Sequence, residues 1–483
     1  MGIAVMKAFA LAFIGTTFAP FAQAFWRMPC RSFPDYVRID PIISPGQFSD
    51  HAHLIVGGSN FGPEATYEDL RASECTSCTI TDDKSAYWVP AMMFRHANGT
   101  FEPVPRTQFL VYYQLFGQEQ GEYVHAFPAG FQMISGDAPR RNSTVPHEPE
   151  KSLWGPEETA PGRLIQKAHG FMCLHFNVDP PEEFLARQFM IPKDEVDTNC
   201  PDGVRAELVF PGCWNGKDLT AVGGKSHVAY SSLIINGICP EDFPVRIPTL
   251  YYEAWYATAG FNGYDGDYVM SNGDPTGYGY HGDFMSGWDP DFLQQAIDSH
   301  CSDEGVIERC PLFTLQSPEE AGTCTYNPPA AALKEHCNFP GDKLCGDNPI
   351  SRGPEPAIMN IHGGPFGDSS GNYPSASAPG NYGSGEDSSA YTFLTYSPST
   401  GSSVFGVFYD GSATGTSVST SSSVSDVVDY GFATSSSVSK TSSQGGQCAE
   451  VPTVTVAPTQ IVLVQDGTEF IIEPVTVTLT TSV

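Results

Sequence analysis

A mainly β fold, with a β-sandwich or jelly-roll-like core, few short helices and disulfide staples, is predicted by three features of the sequence. Turn signals recur about every eight to twelve residues from 25 to roughly 300, as in "GGSNFG", "RHANGTF", "NGKD" and "SNGDPTGYG". Between them lie short apolar runs, "HLIVGG", "QFLVYYQLF", "AELVF" and "HVAYSSLI", rich in the β-branched and aromatic residues that fit a pleated surface. Twelve of the thirteen cysteines fall between Cys30 and Cys345, enough for six bridges.

The elements follow in order. Residues 1–24 read as a secretory signal peptide: Lys7, then the apolar "AFALAFIGTTFAPFA", then the small-x-small pattern Ala22-Gln23-Ala24. No later segment is apolar for long enough to span a bilayer. The expected product is secreted, extracellular or held in a cell wall. That compartment favours disulfides for Cys30, Cys75, Cys78, Cys173, Cys200, Cys213, Cys239, Cys301, Cys310, Cys324, Cys337 and Cys345, with "CTSC" read as disulfide-forming rather than as half a zinc ribbon.

Residues 25–300 form the main β-rich domain, with helical signals only in "PEEFLARQF" and in "DPDFLQQAIDSHC", where Asp289 is a cap. Residues 301–350 form a Cys-rich extension packed on it, since a piece so small cannot bury enough apolar surface alone; "PEEAGTC" and "AALKEHC" are its short helices. Residues 351–450 are a linker, low in complexity and expected to be disordered, Ser-, Thr- and Gly-rich from 367 to 447. Residues 451–483 alternate β-branched and polar residues around Asp466-Gly467, the pattern of a hairpin. Cys448 is left over for an intermolecular bridge.

A net charge of −31 argues against nucleic acid and anionic membrane surfaces as partners, and ranks an anionic polymer low as a substrate. Asn98 in "NGT" and Asn142 in "NST" are glycosylation acceptors in polar loops.

Four histidine-bearing stretches carry the candidate chemistry. "SDHAH" supplies Asp50, His51 and His53, "KSHVAY" supplies Lys225, His227 and Tyr230, and "YHGDF" supplies His281 and Asp283. The glycine-rich "SNGDPTGYG" supplies Asn272 and Asp274. On an extended backbone His51 and His53 point the same way, with Asp50 and Ala52 opposite. His51, His53, His227 and His281, or two or three of them with Asp283, would suffice for a divalent metal. Each histidine alone is equally served by a neighbouring carbonyl or carboxylate.

Glycoside hydrolysis needs two carboxylates, and Asp50, Asp274 and Asp283 sit beside glycine-rich turns. A lyase would instead pair a His227 or Tyr230 base with the Lys225 cation. Sugar rings stack on exposed aromatic faces, and Trp26, Trp88, Tyr112, Tyr113, Tyr251, Tyr252, Trp255 and Trp288 line the main domain, each of them also a candidate for simple core packing.

In order along the chain, "FWRMPC", "FSDHAH", "CTSC", "YWVPAM", "PAGFQMISGD", "AELVFPGCWNGKDL", "KSHVAY", "CPEDFPVRIPTLYYE" and "SNGDPTGYGYHGDFMSGWD" make residues 36 to about 300 similar to a large secreted fungal family. That family is catalogued as a domain of unknown function and is sometimes joined to WSC carbohydrate-binding domains; here no WSC cysteine pattern follows Cys345. The resemblance implies a fungal protein associated with cell-wall or extracellular glycans. Its marked positions fall on Asp50, His51, His53, Cys213, Trp214, Lys225, His227, His281, Gly282, Asp283, Gly287 and Trp288.

Two functions are expected from these residues. The first is an enzyme acting on a wall or plant polysaccharide, with Asp50, His51, His53, His227, His281 and Asp283 as catalytic groups. Trp214, Lys225, Tyr230, Asn272, Asp274 and Trp288 would then contact the sugar. The second is a non-catalytic, lectin-like or structural wall protein.

Overall fold

Strand alternation builds the architecture. The computed structural model describes residues 25–359, except 34, 118–121, 146–153, 300, 302–304 and 336, together with short strands between 454 and 479. The expected leader, the linker beyond residue 359, Cys448 and the Asp466-Gly467 turn lie outside the described residues. In chain order the strands are β1 (Phe25–Cys30), β2 (His53–Gly57), β3 (Ala86–Pro90), β4 (Met92–His96), β5 (Phe101–Pro103), β6 (Arg106–Gln114), β7 (Gln132–Gly136) and β8 (His169–Leu174). There follow β9 (Gly203–Val209), β10 (Cys213–Trp214), β11 (Val228–Ala229), β12 (Val245–Arg246), β13 (Thr249–Tyr256), β14 (Gly266–Met270), β15 (His281–Met285) and β16 (Gly305–Val306).

A six-stranded sheet, β16-β1-β6-β13-β9-β8, faces a four-stranded sheet, β2-β3-β15-β7. Two three-stranded sheets, β14-β4-β5 and β11-β10-β12, are also present among the described residues. Every second residue of the two large sheets points into one core: Met28, Phe109, Val111, Ala206, Leu208 and Tyr252 from the first, Leu54, Val56, Tyr87, Val89, Met133 and Phe284 from the second. Hydrogen bonds also cross the gap. Tyr87 Oη lies 2.7 Å from Tyr113 Oη, Ser135 Oγ donates to Val209 O at 2.6 Å, and Tyr252 Oη donates to Asp283 O at 3.2 Å. The molecule is therefore mainly β and a sandwich, as its turn rhythm predicts.

The four-stranded sheet is covered on its other face as well. Ile55, Ala86, Trp88 and Met285 pack there against Phe33, Val37, Ile39 and Phe48 from the N-terminal segment and Cys324, Tyr326 and Ala332 from the Cys-rich extension. Burial on both faces explains why β2 reads as a continuous apolar run and not as an alternation.

Six disulfides join Cys30–Cys78, Cys75–Cys324, Cys173–Cys200, Cys213–Cys239, Cys301–Cys310 and Cys337–Cys345. The two cysteines of "CTSC" thus bind different distant partners, and Cys75 ties the extension to the sandwich. Gln316 Nε2 donates to Thr76 O and Cys78 O at 2.8 and 2.7 Å, holding the same junction.

The described helices are short, and three of the six α-helices carry a side-chain cap. Pro290–Asp298 starts where expected, with Asp289 Oδ1 accepting from the N–H groups of Asp291 and Phe292, both at 3.1 Å. The Asp289→Ala variant is expected to lose about 1 kcal/mol in urea denaturation; an unchanged midpoint would show that the buried Leu293, Ala296 and Ile297 hold this helix without its cap. One-turn helices, Pro318–Ala321 and Ala330–Leu333, occupy the two segments expected in the extension.

"PEEFLARQF" is not a helix. Leu185 takes a positive φ of 56°, its N–H donates to the Glu207 carboxylate, and Phe171 N–H of β8 donates to Arg187 O at 2.7 Å. Pairing with the sheet edge and a carboxylate outweighs its local helical propensity. "HVAYSSLI" is also shorter as a strand than its composition suggests, forming only β11.

The short described strands between 454 and 479 belong to a second unit. Within it Ile461–Gln465 pairs antiparallel with Thr468–Ile472, the expected hairpin strands, and Val454–Thr455 pairs with Thr478–Leu479.

Candidate functional site

The outer face of the four-stranded sheet gathers the histidines. Asp283 of β15 pairs across to Trp88 of β3 and to Ile134 of β7, and His281, two residues earlier, projects on the same side opposite Gly136. His53 opens β2 opposite Pro90, with β3 between it and β15. The rings of His53 and His281 span that interval with centroids 6.4 Å apart. His51 completes the group, its ring centroid 5.8 Å from His53 and 5.4 Å from His281.

Glycine allows this crowding. A Cβ on Gly282 would meet Leu208 Cδ2 at 2.7 Å and Val89 Cγ1 at 3.0 Å, so glycine lets the two sheets close behind the site without displacing those side chains. The stretch before β2 is fixed by Ser271 Oγ, which donates to Ala52 O at 2.9 Å, and by His53 N–H, which donates to Val37 O at 3.1 Å.

Each imidazole has an oxygen on Nδ1: Asp50 Oδ1 at 2.7 Å for His51, Ile39 O at 3.1 Å for His53 and Gly279 O at 2.8 Å for His281. A carbonyl only accepts, so His53 and His281 carry their proton on Nδ1 and present Nε2 as a lone-pair nitrogen. Asp50 therefore turns toward His51 and does not project to the opposite side, because residues 50–51 form a bend ahead of the strand and alternation does not yet apply.

The whole group is out of water, with His51, His53, His281 and Asp283 at 0% exposure and Asp50 at 4%. Burial, reinforced by the neighbouring imidazoles and Arg38, holds His51 and His53 well below the usual histidine range. Burial takes His281 down to about 3. The imidazoles are thus neutral. Burial raises Asp283 well above the usual carboxylate range, with Asp40 adding to the rise and Lys225 opposing it. Burial raises Asp50 likewise, against the pull of Arg38.

Neither oxygen of Asp283 has a hydrogen-bond donor among the described residues. Its ligand atom and those of His53 and His281 lie within 4.8 Å of one another. Lys225 closes one edge: its Nζ donates to Gly136 O, lies 4.0 Å from Asp137 Oδ1 and acts on both Asp283 and His281. Its side chain is 20% exposed, unlike those of the histidines.

The other predicted residues are placed elsewhere. His227 donates from Nε2 to Gln132 O at 2.7 Å and packs on Phe131, beside Trp214, whose Nε1 donates to Asp218 O at 2.7 Å. Tyr230 is buried on Ser135 Oγ at 2.8 Å. Asn272 donates to Ala138 O and Gly279 O, both at 3.1 Å. Asp274 accepts from Thr276 N–H at 2.8 Å and Gly279 N–H at 2.7 Å and faces Arg141 at 3.6 Å. Trp288 is a core side chain whose Nε1 donates to Tyr113 Oη at 2.7 Å. Each of these side chains makes at least one hydrogen bond within the protein. Asn98 and Asn142 are exposed in loops, as expected.

Two groups escaped the sequence reading. Arg38, Asp40 and Asn348 surround the histidines: Arg38 forms an ion pair with Glu335 at 2.8 Å, and Asn348 Nδ2 donates to Asp50 O at 2.8 Å. The signal for the first two was a pair of opposite charges inside the apolar run "YVRIDP". On the outer face of the six-stranded sheet, Glu207 and Glu253 are direct cross-strand partners joined by Arg205 at 2.6 and 3.2 Å. A lone Glu inside "AELVF" and inside "YYEAWYA" was their signal.

Fold and site together define a disulfide-stapled β-sandwich with a buried histidine–carboxylate centre. The chain belongs to the family described as "Domain of unknown function (DUF1996)", whose model matches residues 40–288 and so spans His51, His53, His281 and Asp283. No curated protein and no solved structure shows significant similarity to it. Six disulfides fit an oxidising compartment, and no described helix is long and apolar enough to cross a membrane.

Proposed function

We propose that this protein is an extracellular enzyme that cleaves a cell-wall polysaccharide, with its chemistry in the layer of His51, His53, His281 and Asp283. The observation that supports the reading is the convergence on one sheet face of three imidazoles and two carboxylates from segments as distant as "SDHAH" and "YHGDF". Breaking a glycosidic bond requires a proton for the leaving oxygen and a group that activates water. The Asp50–His51 pair, at 2.7 Å, moves the proton, and His53, His281 and Asp283 face the reacting bond. A net charge of −31 favours a neutral glycan.

Substrate reaches this layer only when its cover moves. Asn348 is hydrogen-bonded to Asp50 O, and Gly346 packs so closely there that a Cβ would lie 1.9 Å from that oxygen. The test is release of reducing ends from insoluble glucan and chitin by the purified protein. The Asp50→Asn variant is expected to lose at least about 100-fold in rate while still binding the polymer. A folded wild-type protein that releases no ends from any wall polymer removes the reading.

Complete burial of the histidines favours a second reading, a non-catalytic wall protein that binds or organises glycan. Under it His51→Ala and His281→Ala proteins keep full affinity in a pull-down on the same polymers.

A further inference from the structure

We propose that His53, His281 and Asp283 bind a divalent transition-metal cation, as a two-histidine, one-carboxylate set on the outer face of the four-stranded sheet. The proposal deepens the reading of this layer as the reactive site, but the binding itself stands on separate observations. The three ligand atoms already lie within 4.8 Å of one another. Ligands at about 2.0–2.2 Å around one ion stand about 3.4 Å apart, so modest side-chain closure completes the set.

The supporting contacts are those a metal site needs. His53 and His281 each direct Nδ1–H at a backbone carbonyl, Ile39 O and Gly279 O, which fixes ring orientation and leaves Nε2 as the coordinating nitrogen. Asp283 is fully buried, and neither of its oxygens meets a donor among the described residues. An ionised carboxylate there receives no hydrogen bond from the described residues and only the more distant charge of Lys225, whereas a cation between the two imidazoles compensates it directly. Two nitrogens and one oxygen suit zinc, iron, manganese or cobalt and exclude the all-oxygen preference of calcium.

The same chemistry separates this group from the other cluster of ligating residues. Glu335, Cys337 and Cys345 also lie close together, but both cysteines are joined in a disulfide and offer no thiolate. His51 stands beside the proposed set with its Nδ1 on Asp50. A cation held by three protein ligands keeps open positions for water, which it would polarise next to the Asp50–His51 pair.

The experiment is metal analysis of the secreted protein by elemental mass spectrometry, followed by titration of the chelator-stripped protein with zinc, manganese, cobalt and ferrous ions. One equivalent of one of these ions is expected, with a rise in thermal midpoint on binding. Affinity should fall at least about 100-fold in Asp283→Asn and in His53→Ala, and remain unchanged in His227→Ala, whose ring bonds Gln132 O outside the set. Asp283→Asn preserves side-chain shape, and circular dichroism checks that each variant folds. Absence of stoichiometric binding by all four ions overturns the proposal, as does full retention of metal by both ligand variants. Because the readout contains no sugar, a protein that binds metal but cleaves no polymer rejects the enzymatic reading alone.

Discussion

Replacing Arg205 by methionine is expected to cost about 3–5 kcal/mol of stability at pH 7, most of it recovered as the pH falls toward about 4. Glu207 and Glu253 face each other directly across β9 and β13, with side chains 0% and 4% exposed. Like charges in direct cross-strand contact are destabilising even on an open sheet, and burial magnifies the repulsion. Arg205 reaches Glu207 Oε1 at 2.6 Å and Glu253 Oε1 at 3.2 Å and is the cation that neutralises the pair. Tyr251 Oη, donating to Glu207 at 2.6 Å, and Trp255 Nε1, donating to Glu253 at 3.1 Å, supply hydrogen bonds but no charge.

The pH dependence follows from Glu207. Burial raises its pKa, and Arg205 is the main force holding it down. Without the arginine it climbs further above the unfolded value of about 4.3. A carboxyl with a raised folded pKa is destabilising where it is forced to ionise, and that cost disappears once folded and unfolded states are both protonated. The gap between wild type and variant is therefore widest at neutral pH and closes through the acidic range. Urea denaturation at pH 7 and near pH 4 measures it. A loss of equal size at both would place the effect in the packing of the arginine stem and not in its charge.

How far the sequence foretold the site depends on the range of the interaction. His53 and Ile55 share a side because alternation along β2 is local, and Asp289 caps its helix within one turn for the same reason, whereas His51 reaches His53 from a bend. His227 looked equivalent to the other histidines in "KSHVAY", yet its neighbour Lys225 alone reaches the Asp283 layer. The segment there is a turn with two residues of strand, so no strand periodicity governs where His227 points. Trp288 carries the same family motif as Asp283 but lies in the main core, because strand β15 ends at Met285 and the chain turns inward. The Glu207–Glu253 pair was invisible because strand order is a property of the whole chain: each glutamate is evident on its own strand, and nothing local says that β9 lies beside β13. Asn348 lies 298 residues from the Asp50 carbonyl it binds, and the cover over the histidines is made of contacts of that kind.

Opening the Cys75–Cys324 bridge, by Cys75→Ser with Cys324→Ser, is expected to lower stability by up to about 5 kcal/mol and to loosen that cover without unfolding the sandwich. This bridge closes 249 residues, whereas the other five close between 8 and 48. A crosslink acts mainly by restricting the unfolded chain, so the longest loop gives the largest effect, and Cys337→Ser with Cys345→Ser, closing 8 residues, should cost only about 2–3 kcal/mol. Cys324 also packs against the layer of Trp88, Ile55 and Met285, the same sheet face that carries Asp283 and His281. Once it is released, the extension is held there by the Arg38–Glu335 ion pair, the Asn348–Asp50 bond and Gln316 on Thr76 and Cys78. Together with the packing of Tyr326, Ala332 and Leu344, these are non-covalent contacts that open more readily than a covalent link. Amide exchange should then quicken over 324–350 and at His51 and His53, while Val111, Leu208 and Tyr252 in the main core stay protected. Equal losses from both double variants would mean that loop length does not set the effect. A stability loss with unchanged exchange at His51 would mean that the bridge acts on the unfolded chain alone and that the cover is held by its packing.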